Sequence, residues 1–495
     1  MGKPVILGID AGTTKIKAGL VDADGNLIDM ESEICEVFSP FEGASEMDMD
    51  RTWEIVCKVT SQLFKRNEDI ASDLVGLGVT GQGDGLWPVT KNGLPARRAI
   101  LWNDTRAGKL SLENEDLLKQ VCIKYKATPI FAGAAPVLLR WLLENEPETV
   151  KNTAHVLHCK DWINYKLTGQ IATDYTDAST ASINVFEKTY VEEFLNVMNL
   201  LDYKNLFPDL FPSHYIIGKV TESASREAGI PKDVPVIAGA IDVAAAAFGV
   251  GLRESMDACT IVGTTLCNEM ILDKAKVCHD DTRGSNLCYV IPEKYLRVMA
   301  TQNGTSTIDR MKSLLACELS FGEIESKIEK LPVGSDGVII QPYFYGERAP
   351  FRDPDACAGV HGLTARHGRF HILRAAYESL ALSLYDCYSA FPSDVTEIHV
   401  SGGGAQSDLL CQMFADIMGK AVKRPLVREN GIYGITSLTK VGLNIEDFSM
   451  IPRNDFDLFL PNAARHEKYM ELFDIYSELK KSLKNYWLMR SQFIQ

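Results

Sequence analysis

The stretch VILGIDAGTTKIKAGLVD, residues 5–22, joins an apolar run, an acidic residue, a Gly/Thr turn and a second apolar run. The apolar runs are typical of strands because β-branched and aliphatic residues dominate them. The turn, DAGTTK at residues 10–15, offers backbone N–H groups and two hydroxyls that can hold a phosphate. Asp10 at the strand end is a hard oxygen ligand suited to hydrated Mg²⁺. The stretch therefore predicts a strand, a nucleotide-phosphate turn and a second strand, with an ordinary hairpin as the alternative.

A second copy of this pattern occurs half a chain later, in ACTIVGTTLCNEMIL at residues 258–272. The glycines of the two turns, Gly12 and Gly263, are 251 positions apart in a 495-residue chain. Such a repeat indicates two related domains, which we expect at residues 1–250 and 251–495. Two strand-turn-strand units facing each other across a cleft could hold ATP from both sides.

Length and charge limit the classes of function. A chain of 495 residues is longer than one core usually supports, which agrees with two domains of roughly 250 residues each. The net charge of −15 argues against a nucleic acid or an anionic membrane as partner, so we expect a small or neutral substrate. There is no signal peptide and no apolar run of membrane-spanning length, so we expect a soluble cytoplasmic protein.

Cysteine usage indicates a reducing compartment. The twelve cysteines form no CxxC pairs, so we expect buried or free thiols rather than disulfides. The one cluster that resembles metal ligands, residues 278–281, lacks a second pair at metal spacing and is interpreted as a polar loop.

Polar side chains follow two predicted strands of the first half. Leu74–Val79 is a buried strand that opens through glycines and presents Gln82 and Asp84 to a ligand, or forms a hairpin with polar tips. Residues 100–106, ILWNDTR, carry an aromatic ring, a carboxylate and a guanidinium, a set suited to a polyhydroxylated ligand. The residues concerned are Trp102, Asp104 and Arg106, and a structural ion pair between the last two is the alternative.

Asp242 is the candidate general base. It lies between the strand of Pro235–Gly239 and an alanine-rich helix, where a carboxylate can accept a proton, although it could also cap the helix. A further polar segment, Thr173–Ser179, is expected to be a turn that lines a site or caps helices.

In the second half, Thr301–Gly304 begins a helix, and Ser401–Ala405 is a strand-to-helix glycine loop with room for an adenosine. Apolar residues at helical spacing from Tyr469 to Trp487 predict an amphipathic C-terminal helix. This helix docks on the core or on a partner, and a second copy as partner would make a homodimer.

Together these motifs resemble the FGGY family of carbohydrate kinases over nearly the whole chain. The most specific match is AGVHGLTARHGRFHILRAAYE at residues 358–378, which is similar to the C-terminal signature of the family. GERAPFRDPDA and AILWNDTRA resemble the xylulose-kinase branch. Gln82-Gly83-Asp84, however, stands where xylulose kinases carry Gln-Met-His, and the TGQGDGLW form is more similar to the L-xylulose and erythritol kinase branches.

The resemblance implies an α/β fold of the actin-like ATPase (ribonuclease H-like) class, with two duplicated domains around a nucleotide cleft. It implies ATP-dependent phosphorylation of a terminal hydroxyl of a small linear sugar, a ketopentose such as L-xylulose or xylulose, with Mg²⁺ held by Asp10. The alternatives are a polyol kinase acting on erythritol or a glycerol-like substrate, and a non-catalytic actin-like ATPase.

Roles for individual residues follow from the same resemblance. Asp242 would accept the hydroxyl proton, and the sugar would be held by Asp242 together with Gln82, Asp84, Trp102, Asp104 and Arg106. ATP would be held by Gly12, Thr13, Thr14, Lys15, Gly263, Thr264, Thr265, Asn303, Gly304, Gly403, Gly404 and Ala405.

Overall fold

The computed structural model describes residues 3–125, 128, 130–180, 183–277, 281, 283–449 and 455–494. They form two compact units. The first comprises the described residues of Met1–Arg253, Asp273–Leu296 and Glu429–Arg453, and the second those of Glu254–Leu272, Arg297–Arg428 and Asn454–Gln495. Cys278, His279 and Asp280 of the expected polar loop lie outside the described residues.

The described chain contains both strands and helices. The strands are β1 (Val5–Ala11), β2 (Lys15–Asp22), β3 (Leu27–Ile34), β4 (Glu46–Met47), β5 (Leu74–Gly81), β6 (Trp87–Thr90), β7 (Ala99–Ile100), β8 (Thr153–Leu157), β9 (Ala172–Asp174), β10 (Ile183–Asn184), β11 (Thr189–Tyr190), β12 (Asp209–Phe211), β13 (Ile216–Lys219), β14 (Pro235–Ile237), β15 (Ala240–Ile241), β16 (Ala258–Val262), β17 (Leu266–Asp273), β18 (Ser285–Cys288), β19 (Lys294–Ala300), β20 (Ile339–Gln341), β21 (Gly359–His361), β22 (Glu397–Ser401), β23 (Ala421–Pro425) and β24 (Phe456–Phe459).

The helices are α1 (Met49–Arg66), α2 (Gly108–Glu113), α3 (Glu115–Tyr125), α4 (Ala135–Asn145), α5 (Pro147–Asn152), α6 (Cys159–Thr168), α7 (Tyr175–Ala178), α8 (Glu192–Val197), α9 (Glu222–Ala228), α10 (Asp242–Gly249), α11 (Thr305–Leu315), α12 (Phe321–Ile328), α13 (Arg369–Tyr388), α14 (Asp408–Met418), α15 (Asn430–Gly442) and α16 (Ala463–Ile494).

The sheet of the first unit has the strand order β13-β14-β5-β1-β2-β3, with β15 also paired to β5. β1 and β2 form an antiparallel hairpin, which confirms the strand-turn-strand prediction for residues 5–22. β5 runs parallel to β1, β14 runs parallel to β5, and β13 is the antiparallel edge. Because β1, β5 and β15 are parallel neighbours, their carboxyl ends meet at one edge of the sheet.

Six strands of the sheet that contains β16 repeat this plan in the order β19-β17-β16-β22-β23-β24. β16 and β17 form the hairpin, β22 runs parallel to β16, β23 runs parallel to β22, and β24 is the antiparallel edge. The shared strand order confirms the duplication that the two Gly-Thr-Thr motifs predict.

The main core of the first unit lies between one face of its sheet and helices that include α1 and α6. α1 begins after Asp48, whose carboxylate accepts a hydrogen bond from the backbone N of Arg51 at 2.9 Å. Val56, Val59 and Leu63 follow at helical spacing and are fully buried. Burial of each such side chain contributes about 1.5–3 kcal/mol, so this face holds the helix on the sheet.

The other face of the sheet is covered by α10 and α15. A Cβ atom placed on Gly434 of α15 would lie 1.8 Å from the carbonyl oxygen of Ala245 in α10, so only glycine allows this approach. Lys440 Nζ donates to the carbonyl oxygen of Ala23 at 2.7 Å. α15 therefore belongs to the first unit although it comes late in the chain, and it fixes the helix that begins at Asp242.

The C-terminal helix is confirmed as α16, with Tyr469, Leu472, Tyr476 and Trp487 buried in the second unit. The homodimer expected from this helix stays a prediction. The cysteines among the described residues are all free, as expected. None of the helices in the described part of the chain combines the length and the apolar character needed to cross a membrane.

Candidate active site

The first phosphate turn connects β1 to β2. The backbone N of Gly12 donates to the carbonyl oxygen of Lys15 at 3.1 Å, and the backbone N of Cys35 donates to that of Thr14 at 2.8 Å. Thr13 is half-buried, whereas Thr14 and Lys15 are exposed. These hydrogen bonds hold the turn in place, and Thr14 and Lys15 at its tip are exposed to solvent, where an anion could approach them.

A chain of hydrogen bonds connects this turn to two of the predicted sugar residues. Trp102 Nε1 donates to Thr13 Oγ1 at 3.2 Å, and Thr13 Oγ1 donates to Gln82 Oε1 at 2.9 Å. The backbone N of Gln82 also donates to the carbonyl oxygen of Ala11 at 3.0 Å. The parallel pairing of β1 with β5 explains the proximity, because Ala11 lies opposite Gly81.

Asp84 lies in the turn after β5 with a φ of 54°, followed by Gly85 with a φ of 73°. Aspartate is among the few residues that tolerate this left-handed conformation, and glycine adopts it without cost. The backbone N of Gly85 donates to the carbonyl oxygen of Gly133 at 2.9 Å, which anchors the turn. Asp84 is therefore held at the sheet edge that carries Gln82.

Asp104 and Arg106 form the ion pair that the sequence left open. Asp104 Oδ2 accepts from Arg106 at 2.8 Å and from the backbone N of Ser45 at 2.7 Å, and Arg106 also pairs with Glu46 at 2.7 Å. The side chains of Asp104 and Arg106 are 0% and 2% exposed. The charges of Asp104 and Arg106 are thus already paired within the protein. That the two residues bind a sugar stays a prediction.

Asp242 is the first residue of α10 and follows β15 at the same sheet edge as Asp10 of β1. Asp242 Oδ1 accepts a hydrogen bond from the backbone N of Val243 at 2.7 Å. Burial, followed by the negative charge of Asp10, raises the pKa of Asp242 to about 7. A carboxylate with this pKa is suited to accept a proton near neutral pH.

The Asp10 carboxylate faces the first turn of α15, because a Cβ atom on Gly431 would lie 2.7 Å from its Oδ2. Burial raises the pKa of Asp10 to about 6, and the charge of Lys17 opposes that shift. A nearby cation stabilises the ionised forms of buried carboxylates such as those of Asp10 and Asp242. The carboxylate oxygens of these two residues therefore fit a hard divalent ion such as Mg²⁺.

The second unit brings its own predicted nucleotide residues together. In its turn, the backbone N of Gly263 donates to the carbonyl oxygen of Thr265 at 3.0 Å. The carbonyl oxygen of Gly263 accepts from the backbone N of Thr305 at 2.9 Å, which joins the turn to the start of α11. Asn303 Nδ2 donates to the carbonyl oxygen of Gly346 at 2.8 Å, and Gly304 packs directly against the turn.

The glycine loop after β22 lies beside the same turn. Ser401 is paired with Ile261 across the parallel strands, and a Cβ atom on Gly404 would lie 2.4 Å from Val262 Cγ1. The carbonyl oxygen of Ala405 accepts from Arg424 at 2.9 Å. A Cβ atom on Gly403 would meet nothing within 4 Å, so the loop leaves space on that side for a bound group.

Sequence reasoning missed a buried polar network in the first unit. Lys160 is completely buried and pairs with Asp161 at 2.5 Å, Asp174 at 3.0 Å and Asp177 at 3.6 Å. His158 Nδ1 lies 3.3 Å from Asp161 and 3.6 Å from Asp177. The expected turn at Thr173–Ser179 contains the short helix α7, capped by Asp174. A signal was present in the five titratable residues at 158, 160, 161, 174 and 177, but their proximity depends on the fold.

Comparison with known proteins agrees with this arrangement. The N-terminal domain of the FGGY family of carbohydrate kinases matches residues 5–249, and the C-terminal domain of that family matches residues 258–442. A xylulose kinase of Staphylococcus epidermidis is 29% identical, over 98% of each chain. A probable L-xylulose kinase of Haemophilus influenzae is 27% identical, over 97% of this chain and 99% of that protein.

Among solved structures, the crystal structure of a gluconate kinase from Lactobacillus acidophilus superposes with a TM-score of 0.91. It is 23% identical and covers 97% of this chain and 98% of its own. The likeness confirms the two-domain α/β fold, which is consistent with the actin-like ATPase class.

Proposed function

Since this chain belongs to the FGGY family of carbohydrate kinases, we propose that it phosphorylates a terminal hydroxyl of a linear ketopentose such as L-xylulose. Membership of the family makes it a phosphotransferase that acts on a sugar hydroxyl and uses ATP. The choice of sugar is the proposal.

The observation that carries the proposal is the hydrogen-bonded chain from Trp102 through Thr13 to Gln82. It ties a phosphate turn to side chains suited to a polyhydroxylated ligand, and Asp242 follows a strand at the same sheet edge. A hydroxyl donor, a phosphate site and a base on one edge are the parts that phosphoryl transfer to a sugar needs.

In the proposed reaction, Asp242 accepts the proton of the sugar hydroxyl while the oxygen of that hydroxyl bonds to the γ-phosphorus of ATP. The bond between that phosphorus and the bridging oxygen of ADP breaks. The turns at Gly12–Lys15 and Gly263–Thr265 are proposed to bind phosphate oxygens, and the loop at Gly403–Ala405 the adenosine. Mg²⁺, when held by Asp10, would neutralise charge on the phosphates.

The charges around the predicted sugar residues favour a neutral substrate. Asp10, Asp84 and Asp242 are acidic, and the charge of Arg106 is paired with Asp104 and Glu46. A sugar acid would meet repulsion from these carboxylates, whereas a ketose offers hydroxyls for them to accept. The curated relatives named xylulose kinase and probable L-xylulose kinase support a ketopentose.

The proposal is tested by an ADP-release screen with saturating ATP and Mg²⁺. The screen contains D-xylulose, L-xylulose and the ribuloses, the polyols erythritol, glycerol and arabitol, and gluconate as the acidic sugar. We expect the highest kcat/KM with L-xylulose and no turnover with gluconate. Higher kcat/KM with erythritol would instead assign a polyol kinase. ATP turnover that no sugar or polyol stimulates would contradict the proposal and favour a non-catalytic ATPase.

A further inference from the structure

Helix α7 lies in the first unit beside two functional segments that come from different parts of the chain. Its cap, Asp174, accepts hydrogen bonds from the backbone N of Thr176 at 2.9 Å, from Thr176 Oγ1 at 2.6 Å and from Ser213 Oγ at 2.6 Å. Asp174, Thr176 and Asp177 are completely buried. Buried polar groups with these contacts define a rigid element.

Thr176 connects α7 to the candidate base. Its Oγ1 accepts a hydrogen bond from the backbone N of Ile241 at 3.0 Å. Ile241 directly precedes Asp242 and caps α10. The position of the Asp242 backbone therefore depends on a hydroxyl of α7.

Asp177 lies against the turn that carries the predicted sugar residues. A Cβ atom on Gly83 would lie 3.2 Å from Asp177 Oδ1 and 2.0 Å from Ile241 Cδ1, so the two side chains fill the space beside Gly83. Neither carboxylate oxygen of Asp177 accepts a hydrogen bond from a described residue. Its charge is balanced by His158 and Lys160, each at 3.6 Å.

We propose that α7 is a positioning element, in which Thr176 fixes the backbone beside Asp242 and Asp177 fixes the turn from Gln82 to Asp84. This inference rests on the proposed function, because it assigns to α7 the alignment of the base with the sugar. The substrate it aligns is a neutral polyhydroxylated sugar.

The buried polar network beside α7 also has the composition of a cation site, since ligand atoms of His158, Asp161 and Asp177 lie within 4.8 Å of one another. Lys160 Nζ, however, already lies 2.5 Å from Asp161 and 3.6 Å from Asp177. An ammonium at this position supplies the positive charge, and it would repel a metal ion. The contacts therefore favour an ionic network that orders α7.

The first test measures amide hydrogen exchange in the protein without substrate. In Thr176→Val, the amide of Ile241 loses its acceptor, and we expect it to exchange at least about tenfold faster. In Asp177→Asn, we expect the same increase at the amides of Gln82 and Gly85. The matched control is Thr60→Val, because Thr60 is also completely buried and its Oγ1 donates to the carbonyl oxygen of Ala228 at 2.7 Å. In the control, these three amides should exchange as in wild type.

The second test measures the kinetics with the best sugar from the screen. Asp177→Asn should raise the KM for the sugar about tenfold and leave the KM for ATP within about twofold. Thr176→Val should lower kcat, and Thr176→Ser, which keeps the hydroxyl, should restore it. A merely structural role would lower the unfolding temperature without this division between sugar and ATP.

His158→Asn serves as a second variant if Asp177→Asn does not fold, because asparagine retains the N-cap of α6. It removes one balancing charge of Asp177, so the amides of Gln82 and Gly85 should again exchange faster. Wild-type exchange at these amides in a folded variant would overturn the positioning role, whatever the screen shows. If the screen finds no sugar substrate, the proposed function fails, and the exchange data still decide the role of α7.

Discussion

Asp242 owes its chemistry to its place at the end of a strand. The carboxylate is enclosed by the first unit and faces the charge of Asp10, so its pKa lies near 7 rather than in the ordinary range of aspartate. One of its oxygens is held by the backbone N of Val243. At neutral pH, a large fraction of this group is therefore ionised and still basic enough to take a hydroxyl proton.

We predict that Asp242→Asn lowers kcat for the sugar by about 10²- to 10⁴-fold. Asparagine has the same shape and still accepts from Val243, but it cannot accept the proton. Binding of both substrates, measured by calorimetry, should remain close to wild type. Asp50→Asn is the control, because Asp50 lies in the first turn of α1 in the same unit. Equal rates for Asp242→Asn and the control would remove Asp242 from the reaction.

We predict that Asp84→Asn raises the KM for the sugar about tenfold and leaves the KM for ATP nearly unchanged. Loss of a charged acceptor for a hydroxyl costs about 1–3 kcal/mol. Asparagine is chosen over alanine because it tolerates the φ of 54° at this position. Steady-state kinetics with each substrate varied in turn measure the effect. A parallel rise of both constants would indicate a distorted turn instead.

Which site residues can be predicted from sequence depends on how local their signal is. Asp10, Gln82 and Asp242 each follow an apolar run and come together because parallel strands align their ends. The partners of Arg106 were ambiguous, because sequence shows the adjacent Asp104 but not the distant Glu46. The role of Asp177 depends on its contact with Gly83, which no local pattern records.

Among the elements, the packing of α10 against α15 controls where Asp242 lies. We predict that Gly434→Ala destabilises the protein by about 1–3 kcal/mol and lowers kcat, because its methyl group would meet the carbonyl oxygen of Ala245 at 1.8 Å. Gly322→Ala in α12 is the control, since nothing lies within 4 Å of its added Cβ atom. It should be neutral or stabilising. Thermal unfolding and kinetics of both variants measure the difference, and equal stability would show that α15 can shift.

The two hairpins, the glycine loop and α16 could be predicted because each is encoded in one continuous stretch. The membership of α15 in the first unit could not. Its sequence indicates a helix. The sheet against which this helix packs, however, is determined by distant contacts such as that of Lys440 with Ala23, 417 positions away. Similarly, α7 is too short for its four residues to show a helical period.

For the whole molecule, we predict that stability falls as the pH rises from about 6.5 to 9. The carboxylates of Asp177 and Asp161 raise the pKa of His158 to about 9 against the opposing effect of burial. The folded protein thus binds this proton more tightly than the unfolded chain, so the contribution is complete below about 6.5 and is lost as the pH passes 9.

Unfolding temperatures of wild type and His158→Asn between these pH values measure the contribution. Wild type should lose stability faster than the variant. Asp177, 3.6 Å from His158, has its pKa raised by burial to about 7, which lies in the lower part of this window. Parallel curves for the two proteins would show that His158 carries no charge in the fold.

The late position of α15 has a consequence for how the protein is made. The ribosome completes β1, β2 and β5 long before it reaches residues 430–442. Lys17 of β2 can form its hydrogen bond with Glu429 only after 412 further residues have been translated. Until then, the face of the nascent sheet that α10 and α15 share is covered by α10 alone. We expect the emerging N-terminal half to remain a partly folded, chaperone-dependent intermediate. The first unit can complete its fold only after the second unit has been translated, apart from its last segment.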